Sequence, residues 1–307
     1  MKKVVVIGAN GFLGTNLSLS LSHQGYQVIA LVDKRFPYDK LSGVNSLSCI
    51  EFSLENLQNL YGDKRFDGAD MIYHMAWAGV NSTYKNNSEL QVQNVMYGLY
   101  VMQFAEALNI KRILVPGSAA ECSCGESVIN GNNMPAPSDM YSASKAATHL
   151  ICDTYCRQHG LELIWTQITS IYGPGRNDNN LITYAIKSLL NRECPSFTGL
   201  EQEWDYLYID DLIEALIALG ENGIGGKVYP IGSGTHQQMN EYVRVIRDLI
   251  DPSLPVGIGD LPYKNPDKID NQIMDISELY KDTGFVPKMS FEEGIARTID
   301  YFRKQQL

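Results

Sequence analysis

Positive charge is scarce in this chain. Against 35 Asp and Glu stand 25 Lys and Arg and five His, a formal net charge of −10 at pH 7 with a sequence pI near 5.0. Such a balance gives no general attraction to phosphate backbones or anionic membranes, so nucleic acid is not an expected partner. Long apolar runs are missing too, none approaching the ~20 residues that a membrane span requires. The run after Met1-Lys2-Lys3 is only about six residues and ends in a glycine turn, short of the ~7–15 of a secretory signal, and the expectation is a cytoplasmic protein. Cysteines are few and poorly placed for metal: Cys152 and Cys156 lie in an apolar helical stretch, not in a ligand loop, while Cys49, Cys122, Cys124 and Cys194 form no compact zinc pattern. No metal site is expected, and free thiols suit a reducing compartment. Internal repeats and low-complexity tracts are absent.

What is present is an ordinary enzyme-sized composition: 307 residues, 44% hydrophobic and 20% charged, enough to bury a substantial core. Strand-like stretches at Val4–Ile7, Val28–Val32, Met71–His74, Arg112–Val115 and Leu163–Gln167 alternate with helix-like ones. That alternation predicts an α/β fold with a doubly wound parallel sheet. The first domain is expected over residues 1–170. From residue 171 to 307, Pro, Gly and Asn gather in stretches such as Tyr172-Gly173-Pro174-Gly175 and Leu254–Pro262, which read as loops of a smaller substrate domain. A strand near 228–232 is expected to return to the main sheet, so that the two parts interleave.

Two stretches carry chemistry. Val4-Val5-Val6-Ile7 runs into Gly8-Ala9-Asn10-Gly11-Phe12-Leu13-Gly14 and then an apolar helical segment. Glycines at these spacings allow a tight turn, close approach of backbone to a pyrophosphate, and helix packed tightly on strand, while the helix start offers unpaired N–H groups to the anion. The second is Tyr141-Ser142-Ala143-Ser144-Lys145, in which the phenol and the ammonium share one face of a helix. A phenol, with its reference pKa near ~10, needs a neighbouring cation to favour the phenolate, and Lys145 is placed to be that cation. Ser138-Asp139 supplies oxygens suited to capping the helix start.

With these in hand, the chain resembles the extended short-chain dehydrogenase/reductase family, in its NAD(P)-dependent nucleotide-sugar epimerases, dehydratases and keto-reductases. Further stretches carry the resemblance in order: His74-Met75-Ala76-Trp77-Ala78-Gly79, Asn94-Val95-Met96-Tyr97-Gly98, Val115-Pro116-Gly117-Ser118, Tyr172-Gly173-Pro174-Gly175 and Asp205-Tyr206-Leu207-Tyr208-Ile209-Asp210-Asp211. The fold it implies is a Rossmann-type doubly wound sheet with a smaller C-terminal substrate-binding domain. The chemistry it implies is hydride transfer at a sugar carbon, C4, of a nucleotide-diphosphate sugar by a homodimer.

By this resemblance, Tyr141 moves the hydroxyl proton, Lys145 lowers its pKa and holds the nicotinamide ribose, Ser118 hydrogen-bonds the same oxygen, and Asn94 braces the site. Cofactor contacts are implied for Gly8, Asn10, Gly11, Phe12, Leu13, Gly14, Asp33, Lys34, Ser53, Leu54, Met75, Ala76, Trp77 and Ile171, besides Asn94, Tyr141 and Lys145. Asp33 at the end of the second strand argues for NAD, since a carboxylate accepts from ribose hydroxyls and repels a 2′-phosphate. Lys34 and Arg35 would instead grip that phosphate, which leaves NADP open. Ser53 stands where the family places an aspartate beside the adenine.

On the substrate side the resemblance implies Gly79, Ser118, Ala119, Ala120, Ser170, Arg176, Trp204, Tyr208 and Lys264. Trp204 and Ser170 replace a family arginine and asparagine. Dehydratases of the family carry an Asp-Glu pair after the hydroxyl, where this chain has Ala119 and Ala120. Glu121 follows, and an extended backbone would turn its side chain to the other face. Keto-reduction or 4-epimerisation is the favoured expectation, with a nucleotide-sugar dehydratase and a non-catalytic dinucleotide-binding regulator as alternatives.

Overall fold

The structure, a computed structural model, describes residues 2–80, 83–123, 125, 127–176, 178–263 and 270–305. Its centre is a seven-stranded sheet, all parallel. In chain order the strands are β1 (Lys3–Ile7), β2 (Gln27–Asp33), β3 (Leu47–Phe52), β4 (Met71–His74), β5 (Arg112–Pro116), β6 (Glu162–Ile168) and β7 (Val228–Ile231). In space they run β7-β6-β5-β4-β1-β2-β3, so the order reverses between β1 and β4. That is the Rossmann-type arrangement, in which ligands sit beyond the carboxyl ends of the strands at the reversal.

Alternation along β1 shows why the sheet is buried on both faces. Val4 and Val6 pack into one core with Leu17 and Leu21 of helix α1 (Phe12–His23), while Val5 and Ile7 pack into a second core. That second core also takes Val101 and Phe104 of α2 (Ser88–Ala107) and Cys152 and Cys156 of α3 (Met140–His159). Both helix layers are therefore driven by apolar side chains at period two on the strands. β3 was not among the strands expected from the sequence. It is an edge strand with only Ile50 fully buried, too thin an apolar pattern to stand out.

After β6 the chain leaves the sheet for α4 (Leu181–Leu190), α5 (Ile209–Asn222), α6 (Met239–Ile250), α7 (Ser277–Thr283) and α8 (Phe291–Gln305), with β7 returning beside β6. Short ladders tie these segments together: Ser170–Tyr172 runs parallel to Tyr206–Tyr208, and Glu203–Trp204 antiparallel to Gln237–Gln238. Between them Asp205 is buried, its carboxylate accepting from the Ser233 N–H at 2.8 Å and the Gly234 N–H at 3.2 Å. Among the described residues no helix is long and apolar enough to cross a membrane.

Candidate active site

The site begins at the turn from β1 into α1. Gly8 has φ +80°, and a Cβ there would lie 2.7 Å from the Ala76 backbone; one on Gly14 would lie 2.1 Å from the Gly8 carbonyl. Side chains are thus excluded from the turn by backbone, which keeps the start of α1 open. Gly11 caps that helix without any side-chain hydrogen bond, so its first N–H groups are left for a ligand. A cradle of this kind fits a dinucleotide pyrophosphate. Asn10 fixes the neighbouring loop: its amide donates to the Asp33 carbonyl at 2.8 Å and accepts from the Asp33 N–H at 3.1 Å.

A cleft of about 730 Å³ opens here, lined by Gly8, Asn10, Gly11 and Asp33 and, on its far wall, by Ser53, Leu54, Met75, Ala76, Trp77 and Gly79. Other expected cofactor residues lie elsewhere. Phe12 lines an adjoining cavity that also touches Asn10 and Gly11, Leu13 packs against the core, and Ile171 is buried. Lys34 is exposed outside the cleft lining, and its neighbour Arg35 takes the place on the wall. Arg35 reaches back to Asp33, Nε to Oδ1 at 3.0 Å and Nη2 to Oδ2 at 2.6 Å, and holds that carboxyl below the ordinary range.

Helix α3 carries the acid/base candidates. Asp139 caps it, accepting from the Ser142 N–H at 2.8 Å and hydroxyl at 2.7 Å, which fixes the first turn where Tyr141 sits. Tyr141 is half-buried and Lys145 only 5% exposed. The Lys145 ammonium donates to the Pro116 carbonyl at 2.6 Å and lies 3.8 Å from the centroid of the Trp77 indole. The same indole meets the Tyr141 ring edge-on at 6.1 Å. Burial pushes the phenol up to about 12, with the Ser118 hydroxyl, hydrogen-bonded to it, pulling the other way, and Glu121 and Asp139 adding to the rise. The lowering by Lys145 expected from the sequence is not the dominant influence: the phenol rests protonated.

Ser118 follows β5 by two residues and caps a short 3-10 turn, Ala119–Cys122; its Oγ accepts from the Ala120 N–H at 3.2 Å. Ala119 is buried and Ala120 half-buried. Because this backbone is a turn and not an extended strand, Glu121 is directed inward. It is 1% exposed, accepts from the Ser118 N–H at 2.7 Å, and takes the Trp165 indole N–H at 3.2 Å. The sequence expectation of an extended segment is corrected on this point, since the serine cap closes the turn.

Asn94 is buried and clamps the loop after β4, donating to the Ala78 carbonyl at 2.9 Å and accepting from its N–H at 3.0 Å. Sequence reasoning missed its partner one turn earlier. Gln91, fully buried, accepts from the Trp77 indole N–H at 3.1 Å and donates to the Gly79 carbonyl at 2.9 Å. The i, i+3 spacing of two amides on one helix was the available signal. Lys85 was missed as well; its ammonium stands 5.2 Å from the Tyr141 ring centroid.

On the substrate side, the Trp204 indole donates to the Ser170 hydroxyl at 3.0 Å, so these two are brought together. Arg176 is already paired in both directions, with Asp178 at 2.7 and 2.9 Å and with the Ile171 carbonyl. Tyr208 is buried against Tyr172, 5.6 Å between centroids, and has almost no surface to offer a ligand. Lys264 lies outside the described residues.

A glycine cradle at the reversal point of a Rossmann-type sheet, beside a Tyr–Lys pair and a strand-end serine, defines a dinucleotide-dependent oxidoreductase. Residues 4–232 match the NAD dependent epimerase/dehydratase family, and the chain belongs to it. It is 26% identical over 326 residues to the dTDP-D-glucose 4,6-dehydratase of Homo sapiens, covering 99% of this chain and 90% of that one. UDP-glucose 4-epimerase from Thermotoga maritima, solved with UDP-glucose, shares the fold with a TM-score of 0.87 at 20% identity, over 99% of this chain and 100% of that one. UDP-glucuronic acid 4-epimerase from Bacillus cereus, solved with UDP-glucuronic acid and NAD, gives 0.86 at 20% identity, with 99% of each chain covered. The protein is thus an NAD(P)-dependent enzyme of oxidation and reduction at a sugar carbon.

Proposed function

We propose that the protein works at C4 of a nucleotide-diphosphate sugar, as a 4-epimerase or a keto-reductase. The observation that carries this is the meeting of Tyr141, Lys145 and Ser118 beside the dinucleotide cleft. NAD(P), when bound, supplies the hydride exchange. Gly8, Gly11 and the α1 start would hold its pyrophosphate, Asp33 a ribose, Ser53 and Leu54 the adenine, and Lys145 the other ribose.

The chain's own part is proton handling. With its phenol pushed up by burial, Tyr141 rests as an acid suited to protonating a keto oxygen as that oxygen gains charge. In the reverse direction it takes the hydroxyl proton, with the Lys145 ammonium favouring the phenolate. Ser118 hydrogen-bonds the same oxygen, and its cap on the 119–122 turn fixes its direction. Asn94 and Gln91 hold the loop that closes this side. Residues from 171 onward form most of the substrate side.

A dehydratase needs a carboxyl pair beside the hydroxyl. Here Ala119 and Ala120 leave none, and Glu121 points inward, which favours simple oxidation or reduction. Two copies are proposed to pair through α2 and α3, where Val92, Met96, Leu150 and Ile151 stand exposed. Tyr141→Phe tests the reading: turnover should fall by roughly 10²–10⁴-fold with dinucleotide affinity kept. Unchanged turnover would remove Tyr141 from the mechanism. Denaturing the purified protein and identifying any released dinucleotide separates the two outcomes, retention favouring the epimerase.

A further inference from the structure

Behind the acid/base pair lies a charged group that the mechanism above does not use. Lys145 is a buried ammonium that donates, among the described residues, to the Pro116 carbonyl. Two residues along the same strand end, the Ser118 N–H is given to the Glu121 carboxylate at 2.7 Å. Gly117 lies between, and it has no room for a side chain: a Cβ there would come within 2.5 Å of Glu121 Oε1 and 2.2 Å of the Trp165 indole nitrogen. An ammonium and a carboxylate are therefore both buried against the three residues 116–118, each bonded to that backbone.

A buried charge without a partner is strongly unfavourable, whereas a pair of opposite sign offsets much of the loss of hydration. We propose that Glu121 is a positioning residue of the acid/base pair: its carboxylate is the counter-charge that keeps the Lys145 ammonium in place, and its bond to the Ser118 amide aims the Ser118 hydroxyl. This rests on the reading of Tyr141 and Lys145 given above.

The surroundings leave no other candidate for that role among the described groups near Lys145. From β4 comes His74, fully buried, with an unpartnered Nδ1 and held neutral at about 3 by burial and by the Lys145 charge. The loop after β4 contributes the uncharged Trp77 face. From α3 comes Tyr141, a neutral phenol, itself influenced by Asp139 and Arg176. On the other side of Glu121 stand Trp165 and Gln167 of β6, the Cys122 thiol, raised to about 11 by burial and by Glu121, and His149, stacked on Trp165 at 4.8 Å and depressed by burial. Burial lowers Lys145 and raises Glu121, and each opposes that effect on the other. The backbone groups that they bond, the Pro116 carbonyl and the Ser118 N–H, are separated by Gly117 alone.

The test is a double-mutant cycle read by denaturant unfolding of the full chain, using Lys145→Met, Glu121→Gln and the double variant. Lys145→Met should strip the carboxylate of its partner and destabilise; adding Glu121→Gln should restore much of the loss, leaving the double variant more stable than the sum of the singles. Additive effects would overturn the proposal. This readout does not depend on which sugar, if any, is turned over, so its failure is distinct from failure of the proposed function. A second measurement follows dinucleotide affinity against pH. In Glu121→Gln, the loss of affinity on the alkaline side should move down by at least one pH unit, because the ammonium gives up its proton sooner. Glu121→Asp should recover part of that shift, and a midpoint unmoved in Glu121→Gln would count against the counter-charge role.

Discussion

The indole of Trp77 lies flat over the ammonium of Lys145, 3.8 Å from ring centroid to nitrogen. At 5% exposure this cation is desolvated, and a contact of this kind is worth about 2 kcal/mol there. Trp77→Ala should lower unfolding free energy by that amount or more, since packing against Tyr141 goes with it. Trp77→Phe keeps a ring face and loses only the N–H to Gln91, so it should retain most of the stability. Urea unfolding of the two variants decides; equal losses would mean that the face does not matter.

Six of the seven strands were legible because they are short apolar runs spaced by helices, while the edge strand β3, with little apolar pattern, was not. The Tyr141–Lys145 pair was legible for the same local reason, four residues on one helix. What the sequence hid was orientation that depends on long-range contacts. Nothing local says that Arg35 folds back on Asp33, that Tyr208 turns into the aromatic core beside Tyr172, or that a serine cap rolls Glu121 inward to meet Trp165, 44 residues away. Gln91 escaped notice because an amide on a helix looks like a surface residue until the loop it holds is seen.

The Asp33–Arg35 pair predicts how the cofactor is chosen. Arg35 is largely exposed, with 77% of its side chain accessible, and such an ion pair is worth only ~0–1 kcal/mol, so a ligand can open it. Freed, Asp33 would accept from ribose hydroxyls, and Arg35 would meet a 2′-phosphate. Arg35→Ala should weaken NADP binding by about tenfold, roughly 1.4 kcal/mol, and leave NAD binding equal or tighter. Asp33→Ala should act in the opposite sense. Titration of each dinucleotide checks both; an unchanged NADP-to-NAD ratio in Arg35→Ala would discard the residue as a selector.

Asp205 predicts a pH dependence of stability. Its carboxyl is 1% exposed, and burial, opposed by the Ser233 and Gly234 N–H groups and by His236, raises it to about 6. An unfolded aspartate releases its proton near ~3.9. Between these values the folded state binds more protons than the unfolded one, so stability falls as pH rises through that window, by up to about 3 kcal/mol. Asn at this position keeps an acceptor for the Ser233 N–H and cannot ionise. Relative to the native protein, Asp205→Asn should therefore gain about 2 kcal/mol between pH 4 and pH 7. Denaturant unfolding of both proteins at the two pH values measures this change directly. A difference between them that stays constant with pH would show that Asp205 is ionised throughout, held so by the two backbone amides.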